Sequence, residues 1–450
     1  MPESTAPQPP APAGARARLA AWIGARPQEL AAAGTGFAVF FCLFAGYFML
    51  RPIREAMGIA GGVRNLQWLF TATFLVMLAA VPVHGWLSSR VPRARLANWV
   101  YGFFIANLLA FALLFHAAPD SVWAARVFYV WISVYNLFVV SMGWSIMADV
   151  FDAEQARRMF AFIAAGASVG GLAGPAAGAL LAGLAGQDGL ILITALLLAA
   201  AVAGKTYLMR WRAVAGAGRP GAAGEDTPAR PIGGSPWAGI LRVVRSPQLM
   251  GIAAFVILLA TVSTFLYFEQ ARLVAETFPQ REQQIRVFGV IDFAVQALSL
   301  LAQAFVAGRV AARWGLRPLL AAVPGLMVLA FLALAVWPQF AVLVAAMIAR
   351  RVGEYAFVKP GREMLFAAID PEAKYKAKNF IDTVVYRAGD ALSGWAKAWI
   401  DGLAQGALAA ALAGAGCAAA WAALGYWLGR RHDARREADD SSPPWRRTRG

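Results

Sequence analysis

Cysteine, histidine and charge are all scarce in this chain, and each scarcity removes a class of protein. Two cysteines in 450 residues, Cys42 and Cys417, sit in apolar runs near opposite ends. They exclude a disulfide framework and a cysteine-ligated metal centre. His84, His116 and His432 are scattered, so the sequence offers no histidine ligand cluster. Charged residues make up 15% of the chain and hydrophobic ones 60%, whereas soluble domains average about 25% and about 45–50%. Catalytic signatures are missing too. There is no H-E-x-x-H and no G-x-S-x-G. "AGKT" at Ala203–Thr206 carries the end of a phosphate loop, but Ala199 stands where its first glycine belongs. The sequence predicts no enzyme, no cofactor and no bound metal.

What is present is apolar sequence in blocks about 20 residues long, the length that crosses a hydrocarbon core about 30 Å thick. The blocks centre near residues 43, 75, 107, 136, 172, 197, 258, 296, 327, 347, 389 and 417. Twelve spans follow. A Gly-, Pro- and Arg-rich stretch divides them six and six. The predicted layout is a disordered tail over 1–30, a six-helix half over 31–211, a linker over 212–246, a second half over 247–429 and a basic tail over 430–450.

The net charge of +16 reads as topology rather than nucleic-acid binding. Alternate loops carry Arg90, Arg93 and Arg95, then Arg157 and Arg158, Arg210 and Arg212, Arg309 and Arg313, and Lys374 and Lys376. Opposite loops such as "HAAPDS" and "AVWPQF" carry no Lys or Arg. Positive loops stay inside, so both termini are expected in the cytoplasm and the chain in the inner membrane. The loop between spans seven and eight, with Arg272, Arg281 and Arg286, breaks this rule.

The halves repeat. "GWLSSRVPRAR" after span two and "GRVAARWGLRP" after span eight each hold a glycine five residues before an arginine, Gly85–Arg90 and Gly308–Arg313. Asp152 and Glu154 after span four correspond to Asp370 and Glu372 after span ten. Matching loops in matching places predict parallel halves.

Ionisable residues inside a bilayer are costly and mark functional sites by default. Here they fall in spans 1, 4, 7, 8, 10 and 11, while spans 3, 6, 9 and 12 are free of them apart from Lys205 at an end, which is expected to snorkel to the interface. On span 1, Arg51 and Glu55 are spaced to pair, leaving Arg54 free. Asp149 closes span 4, and Glu269 and Arg272 end span 7. Span 8 carries a polar stripe, Asp292, Gln296, Ser299 and Gln303, expected to face water. Span 10 holds Arg350, Arg351, Glu354, Lys359 and Glu363. Span 11 holds Asp382, Arg387 and Asp390, with Lys397 following. Charges of both signs from both halves predict a wet central cavity.

The glycine–arginine loops resemble those of the major facilitator superfamily, with Ser89 and Ala312 where an aspartate is usual. "GGLAGPAAGALL" resembles that superfamily's Gly-Pro antiporter element. A closer resemblance links "KAKNFIDTVVYRAGDALSG", "FVKPGREMLFAAID", "YFMLRPIREAMG" and "GWSIMADVFD" to ATP/ADP translocases of intracellular bacteria and plastids. It implies an all-α polytopic membrane protein, with about 12 transmembrane helices in two parallel six-helix halves. Asp390 occupies the place of a family lysine, and a carboxylate there repels nucleotide charge. The expectation is a monomeric secondary transporter for a small anion, nucleotide or phosphorylated compound, driven by exchange or protons. Its substrate contacts would be Arg51, Arg54, Asp149, Glu269, Asp292, Gln296, Arg351, Glu354, Lys359, Asp382, Arg387 and Asp390. Its other partner is the bilayer. A lipid flippase or a non-transporting membrane partner is the alternative.

Overall fold

Inside a bilayer every backbone polar group must be satisfied within the protein, and a helix does this segment by segment. The computed structural model describes residues 15–216, 243–367, 377–378, 380–403 and 406–440. Each of the twelve block centres falls in a helix. α1 is Leu30–Ala60, α2 Leu66–Arg90, α3 Arg93–Ala117 and α4 Val122–Val150. α5 and α6 occupy the stretch Ala153–Gly216, which breaks at Gly186; the φ of 62° there is one that glycine adopts without penalty. α7 is Pro247–Thr277, α8 Arg281–Ala302, α9 Leu316–Val336, α10 Phe340–Gly353, α11 Tyr386–Asp401 and α12 Gly406–Asp440.

Nine described helices are long and apolar enough to cross a membrane, one being the α5–α6 stretch. α10 and α11 fall outside that set because their charges interrupt the apolar run. Both are extended by π turns. α10 passes through Glu354–Val358 into Lys359–Ala367, and Ile381–Val385 leads into α11. Pro360, which has no N–H to donate, stands two residues after the first of these turns.

Two hydrophobic clusters match the two halves. One draws on residues from Ile23 to Leu208 plus Ile285, and the other on residues from Val243 to Leu428. Helix order puts both glycine–arginine pairs on the face that carries the termini. α1 and α5 touch backbone to backbone: a Cβ at Gly166, Gly170 or Gly174 would collide with the carbonyl of Phe37, Phe41 or Ala45. The Gly-Pro element is thus helix packing through small residues.

Several expectations change. Residues 15–29, predicted as part of a disordered tail, are structured: Ala15–Trp22 is helical and Ala20, Ile23, Ala25 and Glu29 are buried. Arg158 ties this segment down, donating to the Gly24 carbonyl at 2.6 Å and to Glu29 Oε2 at 3.1 Å. The described part of the predicted C-terminal tail is helical, since α12 runs to Asp440. Lys205 does not snorkel; it is 3% exposed and donates to Asn98 Oδ1. Most of the linker, and Asp370, Glu372, Lys374 and Lys376, lie outside the described residues. Two of the arginines that break the charge rule are matched locally. Arg272 pairs with Glu269 and Glu276, and Arg281 donates to the Pro119 carbonyl beside Asp120.

The halves lean together at the face opposite the termini. Leu66, Leu69 and Tyr129 of the first half pack with Phe268 and Ala271 of the second. Trp395 Nε1 donates to Thr71 at 3.1 Å and its ring meets Trp68 edge-on.

Candidate functional site

Between the halves lies a chamber of about 310 Å³. α1, α2, α4, α7, α10 and α11 wall it; five of these are helices that the sequence marks as charged, α2 is not, and the charged α8 contributes no lining residue. Four arginines line it: Arg51, Arg54, Arg350 and Arg387. Two acids, Glu55 and Asp390, face them.

Helical spacing brings several partners to each arginine, and the structure selects among them. The expected Arg51–Glu55 pair does not form. Arg54 takes Glu55 instead, Nη1 to Oε1 at 2.9 Å, and its guanidinium lies 4.0 Å from the centre of the Tyr129 ring. That stacking holds the Arg54 plane in one orientation. Arg51 turns to the other half, with Nε 3.7 Å from Asp292 Oδ2 on α8. The second oxygen of Asp292 accepts from Arg351 Nη1 at 2.5 Å. One buried carboxylate therefore serves two guanidiniums, one from each half. On the second half, Arg350 Nη1 donates to Ser263 Oγ and to Glu354 Oε2, both at 2.7 Å. Asp390 lies 3.7 Å from Arg387 and accepts from Thr264 Oγ1 at 3.3 Å. Lys397 does not compete for Asp390, because it bonds Asp401.

Five guanidiniums, of Arg51, Arg54, Arg350, Arg351 and Arg387, thus meet four carboxylates, of Glu55, Asp292, Glu354 and Asp390. Among the described residues of this network one positive charge is left over, and it resides on the arginines that share Asp292. The remaining wall is aromatic and hydroxylated: Tyr47, Tyr129, Tyr267, Tyr355 and Tyr386, with Ser133, Asn136 and Thr264 between them. Tyr129 Oη donates to Tyr267 Oη at 3.0 Å, joining the halves above the chamber.

Of the residues expected at the site, Arg51, Arg54, Arg387 and Asp390 line the chamber. Asp292, Arg351 and Glu354 are not in its wall: Asp292 pairs with Arg51 and Arg351, and Glu354 with Arg350. The other five lie elsewhere. Asp149 is half-buried near the end of α4. Glu269 pairs with Arg272 at the opposite face. Gln296 packs beside Gly171 of α5. Lys359 is exposed, and Asp382 pairs with Arg362 at 3.0 Å. The polar stripe of α8 does not form one wet surface: Asp292 and Ser299 are buried, while Gln303 is exposed and donates to the Tyr355 carbonyl. α8 packs against α1, α5 and α10 and contributes no residue to the chamber wall.

Arg350 and the tyrosines were not among the expected contacts. The signal for Arg350 was its spacing of four from Glu354. Tyrosine in a membrane helix also reads as an interfacial anchor, which conceals its role here.

A bundle of twelve membrane helices in two halves, with a polar chamber at their interface, defines a secondary-transporter architecture. Residues 36–360 match the sequence profile of the Major Facilitator Superfamily, and the chain belongs to that superfamily. Three solved structures share the fold. A bacterial homologue of the human lysosomal transporter Spinster, inward-facing and unoccupied, is 15% identical with a TM-score of 0.61, covering 93% of this chain and 100% of that one. A bacterial homologue of the iron transporter ferroportin, inward-facing, is 14% identical with a TM-score of 0.57, covering 88% and 98%. The nucleoside transporter NupG is 13% identical with a TM-score of 0.59, covering 89% and 98%. No curated protein sequence matches the chain. The solved structures support the fold, while the closer resemblance to ATP/ADP translocases has no counterpart among these matches.

Proposed function

We propose that this transporter carries a small organic anion, with a carboxylate or phosphate group and a planar part, by alternating access. The observation that carries this reading is the charge count around the chamber: five guanidiniums, four carboxylates and about 310 Å³ of space. That volume is at the low end of the roughly 300–1,000 Å³ typical of small-molecule sites. A single surplus positive charge suits an anion of low charge. It does not suit a triphosphate, which would need the acids removed. Tyrosine rings offer flat surfaces for a planar group.

The moving bodies are the halves 31–211 and 247–429, joined by the linker 212–246. The chain works as a monomer in the inner membrane with both termini in the cytoplasm. Arg51, Arg54, Arg350 and Arg387 contact the anion, and exchange or proton movement through Asp390 drives transport. Counterflow into proteoliposomes tests the reading. Unlabelled nucleoside monophosphates and small organic acids should compete for uptake, with ATP and uncharged nucleosides competing at least tenfold more weakly. Equal competition by uncharged nucleosides would reject an anion site, and preference for ATP would reject the charge count.

A further inference from the structure

A second cavity lies apart from the central chamber, at the face opposite the termini, and it has two lobes. The polar lobe, of about 740 Å³, is lined by residues of α7 and α11 and by the turn before α2. Its charges are Arg64, Arg272 and Lys397 against Glu269, Glu276 and Asp401. Three of each sign leave it neutral, and most pair with one another: Arg272 with Glu269 and Glu276, and Lys397 with Asp401. The apolar lobe, of about 200 Å³, lies among α7, α9 and α12, where Phe265, Phe331, Leu334 and Leu408 form its wall. Glu269, Lys397 and Ala407 belong to both lobes, so the two are continuous.

Depth explains the pairing of such different surfaces. α7 ends at Thr277, α11 at Asp401, and α12 starts at Gly406. The polar lobe is therefore at the level of the bilayer surface, and the apolar lobe reaches below it beside the peripheral helices α9 and α12. Lys397 is 3% exposed and stands at the junction. Asp401 holds its ammonium there, and that carboxylate is part exposed in the polar lobe. Transport through the central chamber uses none of these residues.

We propose that this two-lobed cavity binds a zwitterionic phospholipid from the surrounding leaflet. Its acyl chain enters between α7, α9 and α12. Its phosphate meets Arg64 and Arg272, and its amine end meets Glu276 and Asp401, the more exposed charges of the cavity. The equal count of cations and anions selects a headgroup that is itself neutral overall. Bound there, the lipid bridges α7 and α11, two walls of the central chamber, to the peripheral helices.

Native mass spectrometry of the detergent-purified full chain, titrated with 1-palmitoyl lysophosphatidylcholine, tests this. The wild type should take up one molecule saturably, and lysophosphatidylglycerol should bind at least tenfold more weakly. Ala407 is exposed and lines both lobes, so Ala407→Trp blocks the junction without touching the core. It should lose binding at least tenfold, while Ala407→Ser retains it. Arg54→Gln, in the central chamber, should bind as the wild type does. The proposal fails if the wild type shows no saturable adduct, if Ala407→Trp binds unchanged, or if the anionic lipid binds as tightly. It also fails if Arg54→Gln abolishes binding, since that would place the lipid in the central chamber.

Discussion

Asp390→Asn should change which anions the transporter prefers while leaving its fold in place. Asparagine keeps the shape of the side chain and can still meet the Thr264 hydroxyl. What it removes is the carboxylate 3.7 Å from Arg387. At an effective dielectric of about 20 that pair attracts by roughly 4.5 kcal/mol before desolvation is counted. Losing it raises the surplus charge of the network from one to two. An additional negative charge on the substrate, held about 5 Å from the unpaired guanidinium, gains about 1.5–3 kcal/mol as the dielectric varies from about 40 to 20. That corresponds to a shift of roughly 10- to 150-fold toward the more highly charged anion. The assay is counterflow in proteoliposomes with nucleoside mono-, di- and triphosphates, wild type beside variant, at one ionic strength. The variant should move toward di- and triphosphates. An unchanged ranking, with the variant folded and active, would refute the view that the Asp390–Arg387 pair sets the charge of the site.

Other perturbations separate support from contact. Asp292→Asn strips the carboxylate from both Arg51 and Arg351, and breaking a buried pair from one side costs about 3–5 kcal/mol; thermal unfolding in detergent should show a large loss, and an unchanged midpoint would contradict the shared-carboxylate network. Tyr129→Phe deletes the hydroxyl that joins the halves above the chamber, a bond worth about 0.5–1.5 kcal/mol. A cysteine at Asn136 should then be labelled faster from the face opposite the termini, and no change in rate would show that the bond is not a gate. At Glu29, burial pushes the carboxyl up, but hydrogen bonds from Arg158, the Arg26 backbone and Gln155 outweigh it and hold the carboxyl below its ordinary value of 4.5. Its contribution is therefore full above pH 4.5 and fades as pH falls through the lowered value. Glu29→Gln should be less stable than wild type at neutral pH, and the gap should narrow in acid. A gap independent of pH would mean that the carboxylate charge is irrelevant there.

The twelve helices were legible because hydrocarbon imposes one period and one length. Each apolar block centre lies in a helix. The six charged helices were legible for the same reason, since a charge in lipid has few uses. Partner choice was not. Arg51 lies four residues from Glu55 on one helix, yet its carboxylate is Asp292 on another half of the molecule. Spacing along a helix names neighbours on that helix alone; it cannot weigh them against a residue more than two hundred positions away. The same limit misassigned α8. Its polar stripe is real, but Asp292 is engaged by two arginines and Gln296 fills the space left by Gly171, so the stripe serves packing between halves. Arg350 and Arg351 differ by about 100° around α10. Which one faced the chamber depended on the orientation of the helix, and that is a tertiary fact. The N-terminal segment was read as a tail from its Pro and Ala content. Arg158, more than a hundred residues later, is what orders it.

Direct binding to the purified protein is the sharpest discriminator, because it bypasses coupling and reconstitution. Calorimetric titration of the wild type, Arg54→Gln and Arg387→Gln with a nucleoside monophosphate, the matching uncharged nucleoside and ATP reads the charge of the chamber itself. A low-charge anion site predicts measurable heat for the monophosphate, at least tenfold weaker binding of the other two, and loss of monophosphate binding in both variants. Equal binding of the nucleoside, undiminished when either arginine is replaced, would contradict it.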